Sequence, residues 1–256
     1  MPLMPSIQGV IKRRLLVNFR VDPEVVRRIL PEGLEPKLHN GYAVAGICLI
    51  RLYAIRPAMD PLPLGFSSEN AAHRVAVLWR SDGGGWAEGV FIPRRHTNSS
   101  VILALGGRLF PGLHKRAWFE VNDTTERISM KVEAVAGDMK VVVQARSSAG
   151  LPPGSVFESL EAASAFFRGG ALGYSPGREP GSLEGLRLIT PDWRVAPLDV
   201  SHVYSSWFSD ERCFPSGSVD FDCALVMRDV EHQWQRAPAL VVPFAQRDGH
   251  VLSRHQ

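Results

Sequence analysis

The residue whose type and position most directly suggest chemistry is a lysine near the start of an alternating segment, residues 113–121. Side chains on one face of an extended chain recur at every second position, so Lys115 shares a face with Leu113, Ala117 and Phe119. Burial on that apolar face would disfavour the charged amine and lower the pKa of Lys115. A neutral amine is a nucleophile that forms a Schiff base with a ketone. The alternative is a lysine that extends from the strand end into solvent.

A second group of polar residues lies between an apolar strand and a short helix. Arg94, Arg95 and His96 follow Pro93, which we expect to end the strand, and precede a helix that begins near Ser99. Helix N-termini attract anions, so this run is a candidate binding site for an acidic ligand, with Arg94 as a substrate-binding residue. The alternative is a solvated turn.

The histidines offer further candidates. The chain contains eight of them, and none stands at a spacing typical of metal ligands. Scattered histidines can meet in a folded chain, so a metal site stays open as a third alternative, although we expect no metal and no cofactor. We take His73 and His114 as candidate substrate-binding residues.

One of these segments resembles a known active site. Residues 107–117, GRLFPGLHKRA, are similar to the segment around the Schiff-base lysine of acetoacetate decarboxylases. The resemblance places Lys115 on the reactive lysine and Arg116 on its cationic neighbour, which makes Lys115 a catalytic candidate and Arg116 a substrate-binding candidate. His114 stands where that family has a proline.

The resemblance extends to two other segments. Residues 15–36 resemble the family's opening strand and helix, and Arg20 takes the place of its carboxylate-binding arginine. Residues 67–77, SSENAAHRVAV, place Glu69 near its active-site glutamate, where it would orient substrate or transfer protons. We therefore expect Arg20, Glu69 and Lys115 to line one pocket. The alternatives are a salt bridge for Arg20 and a capped turn for Glu69.

The chain is also similar, over most of its length, to an uncharacterised bacterial protein family of the acetoacetate decarboxylase-like fold. The segments that carry this similarity are SENAAHRVAV, GVFIPRRHTNS, GGRLFPGLH and GSVDFDCALVMR. Together the resemblances imply a Schiff-base lyase, of decarboxylase or aldolase type, that acts on a small keto acid through Lys115. The alternative is a non-catalytic β-barrel that binds a small acidic or apolar ligand.

These residues must be positioned mainly by strands. Period-2 segments predict about ten strands, several of them joined by short turns, whereas helices are predicted only over residues 24–30, 99–105 and 155–167. The fold class is therefore mainly β (α+β): an antiparallel β-barrel or two packed sheets with a few flanking helices. The resemblance favours a single-domain barrel. We expect the domain to span residues 1–244 and residues 245–256 to form a polar tail.

The composition of the chain indicates which classes of binding partner to expect. The chain has 256 residues, of which 45% are hydrophobic, and a formal net charge of +3 from basic residues scattered along its length. Nucleic-acid binding proteins concentrate such charge on one face, so we expect no nucleic acid. Three cysteines without a Cys-x-x-Cys motif indicate a reduced, cytoplasmic setting. We expect no signal peptide and no membrane partner. Assembly into a homo-oligomer stays an open alternative.

Overall fold

The computed structural model describes residues 6–58, 65–81, 83–105 and 110–242. Within these ranges, thirteen strands form one sheet. The strands are β1 (Ile7–Val21), β2 (Leu34–Pro36), β3 (Leu38–His39), β4 (Tyr42–Pro57), β5 (Phe66–Arg80), β6 (Trp86–Thr97), β7 (His114–Asp123), β8 (Arg127–Ala134), β9 (Lys140–Ser147), β10 (Leu172–Pro176), β11 (Ser182–Ile189), β12 (Ala196–Ser205) and β13 (Val219–Val241). The expectation of a mainly β chain is confirmed. The polar segment 245–256 lies outside the described residues, and the division at residue 244 stays a prediction.

The helices are short. They are α1 (Pro23–Ile29), α2 (Ser100–Leu105) and α3 (Leu160–Gly169). The Asp22 side chain caps α1 by accepting a hydrogen bond from the Glu24 backbone N–H at 2.8 Å. Helix α3 begins five residues later than predicted, because Ser159 caps it. None of the helices in the described ranges is long and apolar enough to cross a membrane.

The strand pairing returns to its starting point. From β1 it runs through β4, β5, β6, β7, β8, β9, β12 and β13, and β13 pairs again with β1. Strands β10 and β11 form a second bridge between β6 and β13. The predicted antiparallel arrangement holds except for two parallel pairs, β6 with β7 and β6 with β10. We describe this closed pairing as the ring, and its two sheet surfaces as the inner and outer faces.

Alternation along each strand separates the two faces. Inward-facing side chains such as Val17, Ile47 and Val143 join one large apolar core, which also receives Trp207 and Phe214 from the segment after β12. Outward-facing side chains pack in separate clusters. One of these contains Leu16, Ala76 and Phe167, so that α3 covers the outer face of the sheet. Consecutive residues of one strand therefore reach different environments.

A bulge in β6 determines where the basic run of residues 94–96 points. Pro93 does not end the strand, which continues to Thr97. The pairing with β5 instead shifts between His73 and Val75, and Pro93 lies in the irregular part of β6 opposite that shift. Proline is tolerated there because a bulge leaves a residue without ladder hydrogen bonds. The run 94–96 is consequently part of the sheet and not a turn before a helix.

Candidate functional site

A buried network of charges lies on the inner face of the ring at the level of Arg13. Arg13 donates to Glu69 Oε2 at 2.6 Å and to Asp123 Oδ2 at 3.1 Å. Arg51 Nη1 lies 3.6 Å from Glu69 Oε1, and Arg228 donates to Asp123 Oδ1 at 2.6 Å. The Arg13 and Glu69 side chains are only 3% and 8% exposed. A pair buried to this extent is held only because each charge has a partner.

The two carboxylates of this network respond differently to burial. Burial raises the pKa of Glu69 above its ordinary range, against the opposing effect of Arg13 and Arg51. Partial burial also raises the pKa of Asp123, but hydrogen bonds from Arg228 and Arg13 outweigh this effect and hold the pKa below its ordinary value. Glu69 is thus the carboxyl group of the network that takes up a proton more readily.

A second group of polar residues lies beside Lys115 on the same face. The Lys115 amine forms an ion pair with the Asp138 carboxylate, which belongs to the turn between β8 and β9. Arg94 donates to the Asp138 backbone carbonyl at 3.3 Å and lies over the Trp207 ring. His96 is the register neighbour of Lys115 across the parallel β6–β7 pair. Asp138 therefore connects the two side chains, binding Lys115 through its carboxylate and Arg94 through its backbone carbonyl.

Two buried histidines complete this group. His73 and His96 are 0% and 2% exposed. His73 Nε2 lies 2.9 Å from Ser205 Oγ, whereas both ring nitrogens of His96 lack a hydrogen-bond partner among the described residues. Burial lowers the pKa of His96 to about 4 and that of His73 well below its ordinary value. Both rings are therefore neutral at neutral pH.

His96 joins the two groups. It pairs with Ala71, two residues beyond Glu69 on β5, so Glu69 and His96 are diagonal neighbours on the inner face. Glu69, His96 and Lys115 consequently lie on three successive strands. Among the described residues of these two groups, cations outnumber carboxylates: the cationic side chains are Arg13, Arg51, Arg94, Lys115 and Arg228, and the carboxylates are Glu69, Asp123 and Asp138. This arrangement favours a small acidic ligand.

The expected burial of Lys115 is wrong. Alternation does place it on the face of Ala117 and Phe119, which contact the core. However, its side chain is 59% exposed, because Lys115 is the second residue of β7 and extends toward the β8–β9 turn. Lys115 therefore lies in solvent beside the Asp138 carboxylate and not in an apolar pocket.

Arg20 does not share a pocket with Glu69. Arg13 pairs with Arg51, and Arg51 with Glu69, so Arg13 is at the level of Glu69. Arg20 is seven residues further along β1, a distance of about 23 Å at the usual rise of a strand. Its guanidinium donates to the Gly154 carbonyl at 2.9 Å and lies 3.7 Å from Asp220. The buried arginine of this region is Arg13.

Two other predicted residues point outward. Arg116 donates to Ser100 Oγ at 2.7 Å and to the Asn98 carbonyl at 3.3 Å, which ties β7 to α2. His114 Nδ1 lies 3.2 Å from the Gly112 carbonyl, and burial lowers the pKa of His114 to about 3. Both alternate with Lys115 along β7, so they lie on the opposite face of the strand from its side chain.

The residues that sequence reasoning missed are Arg13, Arg51, Asp123, Asp138 and Arg228. A signal existed for Arg13, since it alternates with Leu15, Val17 and Phe19 and therefore lies on their face. No local pattern identifies Asp138, because it reaches Lys115 through a turn between two other strands. Within the described ranges, no three histidine, cysteine, aspartate or glutamate side chains converge as a metal site.

Comparison with known proteins assigns the chain to a family and identifies solved structures of the same fold. Residues 10–214 match the DUF2071 family, described as an uncharacterized conserved protein. No curated protein matches the chain.

Several solved structures share the fold of this chain. Their sequence identities are low, so the similarity shows the fold and not the function. Acetoacetate decarboxylase from Legionella pneumophila is 12% identical, with a TM-score of 0.60 over 94% of this chain and 89% of that one. An acetoacetate decarboxylase-like enzyme from Sphingomonas wittichii RW1 is 14% identical, with a TM-score of 0.53 over 93% and 92%. The enduracididine biosynthesis enzyme MppR, complexed with pyruvate, is 13% identical, with a TM-score of 0.52 over 95% and 92%.

Proposed function

Because the chain belongs to the DUF2071 family and has the fold of acetoacetate decarboxylase, we propose that it is an enzyme acting on a small keto acid. In this proposal the ring is a barrel that holds the ligand on its inner face, and Lys115 forms a Schiff base with the ketone. The observation that carries it is the placement of Lys115 and Glu69 on either side of His96, on a face with an excess of cations.

Each residue of the proposed site has a defined task. Arg94 binds the substrate carboxylate, since its guanidinium makes a single hydrogen bond among the described residues and retains further donors. The Lys115 amine leaves Asp138, gives a proton to Glu69 through His96, attacks the ketone carbon and, with return of that proton and loss of one water molecule, becomes a protonated imine. The protonated imine accepts the electron pair released when a carbon–carbon bond breaks and becomes an enamine, as in a decarboxylase or an aldolase. Glu69 exchanges protons through His96, which lies between it and Lys115.

A second function is favoured by one observation. Lys115 is more than half exposed and held in an ion pair, which suits a charged side chain that binds an acid without reacting with it. The same inner face would then serve a non-catalytic binding protein, with Arg94 and Lys115 as ligands of a carboxylate.

Borohydride trapping separates these functions. The protein is incubated with pyruvate and with a panel of β-keto acids, reduced, and analysed by intact mass. We expect an adduct in the wild type and none in Lys115→Met. Lys140→Met is the matched control, since Lys140 is also an exposed lysine paired with a carboxylate.

The binding function is tested on the same samples. Thermal stabilisation by a keto acid that Arg94→Met removes, without any adduct in the wild type, would support the binding protein and refute the enzyme. If no keto acid forms an adduct or stabilises the protein, both functions are wrong.

A further inference from the structure

The outer face of the same strands carries a second cluster of basic residues. Arg14 of β1, Arg74 of β5 and Arg95 of β6 alternate with inward-facing residues and therefore point away from the ring interior. Cys48 of β4 lies among them: Arg14 Nε donates to Cys48 Sγ at 3.4 Å, and Cys48 pairs in register with Ala72, which pairs with Arg95. Both Arg74 and Arg95 are within electrostatic reach of this thiol. Arg14 thus contacts Cys48 directly, and Arg74 and Arg95 lie within electrostatic range of the same thiol.

The positive charge of this cluster is poorly compensated. Arg74 is only 4% exposed, and its contacts are a hydrogen bond to Asn18 Oδ1 and the face of the Phe167 ring. Arg95 donates to Ser175 Oγ at 2.7 Å and has Glu184 as a nearby carboxylate. Among the residues that the structure describes, neither Arg14 nor Arg74 forms an ion pair with a carboxylate. A buried cation without an anionic partner is costly.

Several donors of the cluster also lack an acceptor. Three buried donor atoms have no hydrogen-bond partner within the described ranges: Arg14 Nη1, Arg74 Nε and the indole Nε1 of Trp193. They belong together, because the Arg14 guanidinium lies 5.5 Å from the Trp193 ring centre and Arg14 and Arg74 interact electrostatically. All of these unpartnered atoms are donors, so the missing component is an acceptor.

The cluster is partly exposed to solvent. Arg14, Cys48 and Arg95 are half-buried, whereas Arg74 is enclosed beneath α3. Burial lowers the pKa of Arg74 and of Arg95 to about 10, so both stay charged at neutral pH. Arg14, Cys48 and Arg95 therefore each keep part of their surface in solvent, from which a ligand would approach.

We propose that Arg14, Arg74 and Arg95 form an oxyanion-binding site around Cys48 that takes a phosphate group. A carboxylate has two oxygens and is satisfied by one guanidinium fork, whereas three forks from three strands suit an anion with more acceptor oxygens and more charge. The phosphate is either free or carried by an organic ligand. This site is separated from the proposed keto-acid site by the sheet itself, so neither proposal depends on the other.

The first test is binding. Inorganic phosphate is titrated into the full chain by calorimetry at constant ionic strength, with acetate and phenyl phosphate as parallel ligands. We expect phosphate to bind and acetate to bind at least tenfold more weakly, since hydrogen bonds to charged groups contribute about 1.5–3 kcal/mol each. Binding of phenyl phosphate would assign the site to an organic phosphate, and binding of inorganic phosphate alone would assign it to the free anion. Both results support the proposal.

The second test locates the ligand. N-ethylmaleimide labelling of Cys48, followed by peptide mass spectrometry, should slow several-fold when phosphate is present, while labelling of the half-buried Cys213 stays unchanged. Arg14→Met and Arg95→Met should weaken phosphate binding roughly tenfold or more, because each removes a charged donor. Arg127→Met, an exposed arginine on β8, is the control and should bind normally.

Several results would overturn the proposal. They are the absence of phosphate binding to the wild type, acetate binding as tight as phosphate, or unchanged Cys48 labelling with phosphate bound. The wild-type measurements alone decide the matter if an arginine variant fails to fold.

Discussion

The substitution Asp123→Asn tests whether the buried network on the inner face stabilises the ring. It removes the charge that Arg228 binds at 2.6 Å and one of the two carboxylates that Arg13 binds. Removing one partner of a buried ion pair costs about 3–5 kcal/mol. Arg13 keeps Glu69, and Asp123 is itself 19% exposed, so we expect the lower end, about 3 kcal/mol.

This cost translates into a melting temperature. A chain of this size loses about 2–4 °C for each kcal/mol, so the Tm of Asp123→Asn should fall by about 6–12 °C in calorimetry. Asp199→Asn is the matched control, because Asp199 also pairs with an arginine of a neighbouring strand but in solvent, with Arg146 72% exposed. An exposed pair contributes at most about 1 kcal/mol.

The effect of Asp123 should also depend on pH. Its folded-state pKa is lowered, so its contribution is complete above the unfolded value of about 3.9 and is lost as the pH falls through the folded value. The difference in Tm between wild type and Asp123→Asn should therefore shrink below about pH 4. Equal losses for Asp123→Asn and Asp199→Asn, or a difference unchanged in acid, would refute the reasoning.

Four further substitutions probe other parts of the chain. The wild type should lose stability between about pH 6.5 and pH 5, because the buried His96 ring, with a pKa of about 4, cannot take up the proton that the unfolded chain binds. His96→Gln should reduce this loss by about 2 kcal/mol. Urea midpoints that change with pH as they do in the wild type would contradict this. Gly112→Ala should cost about 3 kcal/mol in denaturant unfolding, since its φ is +86° and an added Cβ would lie 2.6 Å from the Ser175 Cβ. Gly137→Ala, with φ +75° and open space, should cost only about 1 kcal/mol, and equal costs would rule out the close contact as the cause. Asp138→Asn should speed imine trapping by releasing the Lys115 amine, and an unchanged rate would show that the ion pair does not restrain it.

Much of the fold could be predicted because alternation and turn residues are local signals. The hairpin between β8 and β9 forms across residues 136–138 as expected. Helix α3 begins late because Ser155 Oγ donates to Asp222 of β13 at 2.8 Å instead of capping the helix. Asp222 is distant in sequence, so no local pattern identifies this competing partner. The parallel pairing of β6 with β7 likewise depends on tertiary packing and not on either strand alone.

The candidate site was predictable in part for the same reason. Periodicity gives the face to which Lys115 points, but its exposure depends on where the β8–β9 turn lies. Resemblance to a motif indicates Arg20 as the arginine of the site. Strand register instead places Arg13 at the level of Glu69, with Arg51 of β4 between them. Register between strands is set by bulges and turns throughout the sheet, and a single segment does not contain that information.

The separation of neighbouring basic residues onto opposite faces constrains how this chain can diverge. The adjacent pairs Arg13–Arg14, His73–Arg74 and Arg94–Arg95 each send one side chain to the ring interior and one to the outer cluster. A one-residue deletion within these strands would exchange the two sets and damage both proposed sites at once, whereas a two-residue deletion would preserve the faces. Length changes in relatives should therefore occur in even steps within these strands, or at the bulge opposite Arg74, where an odd step can be absorbed.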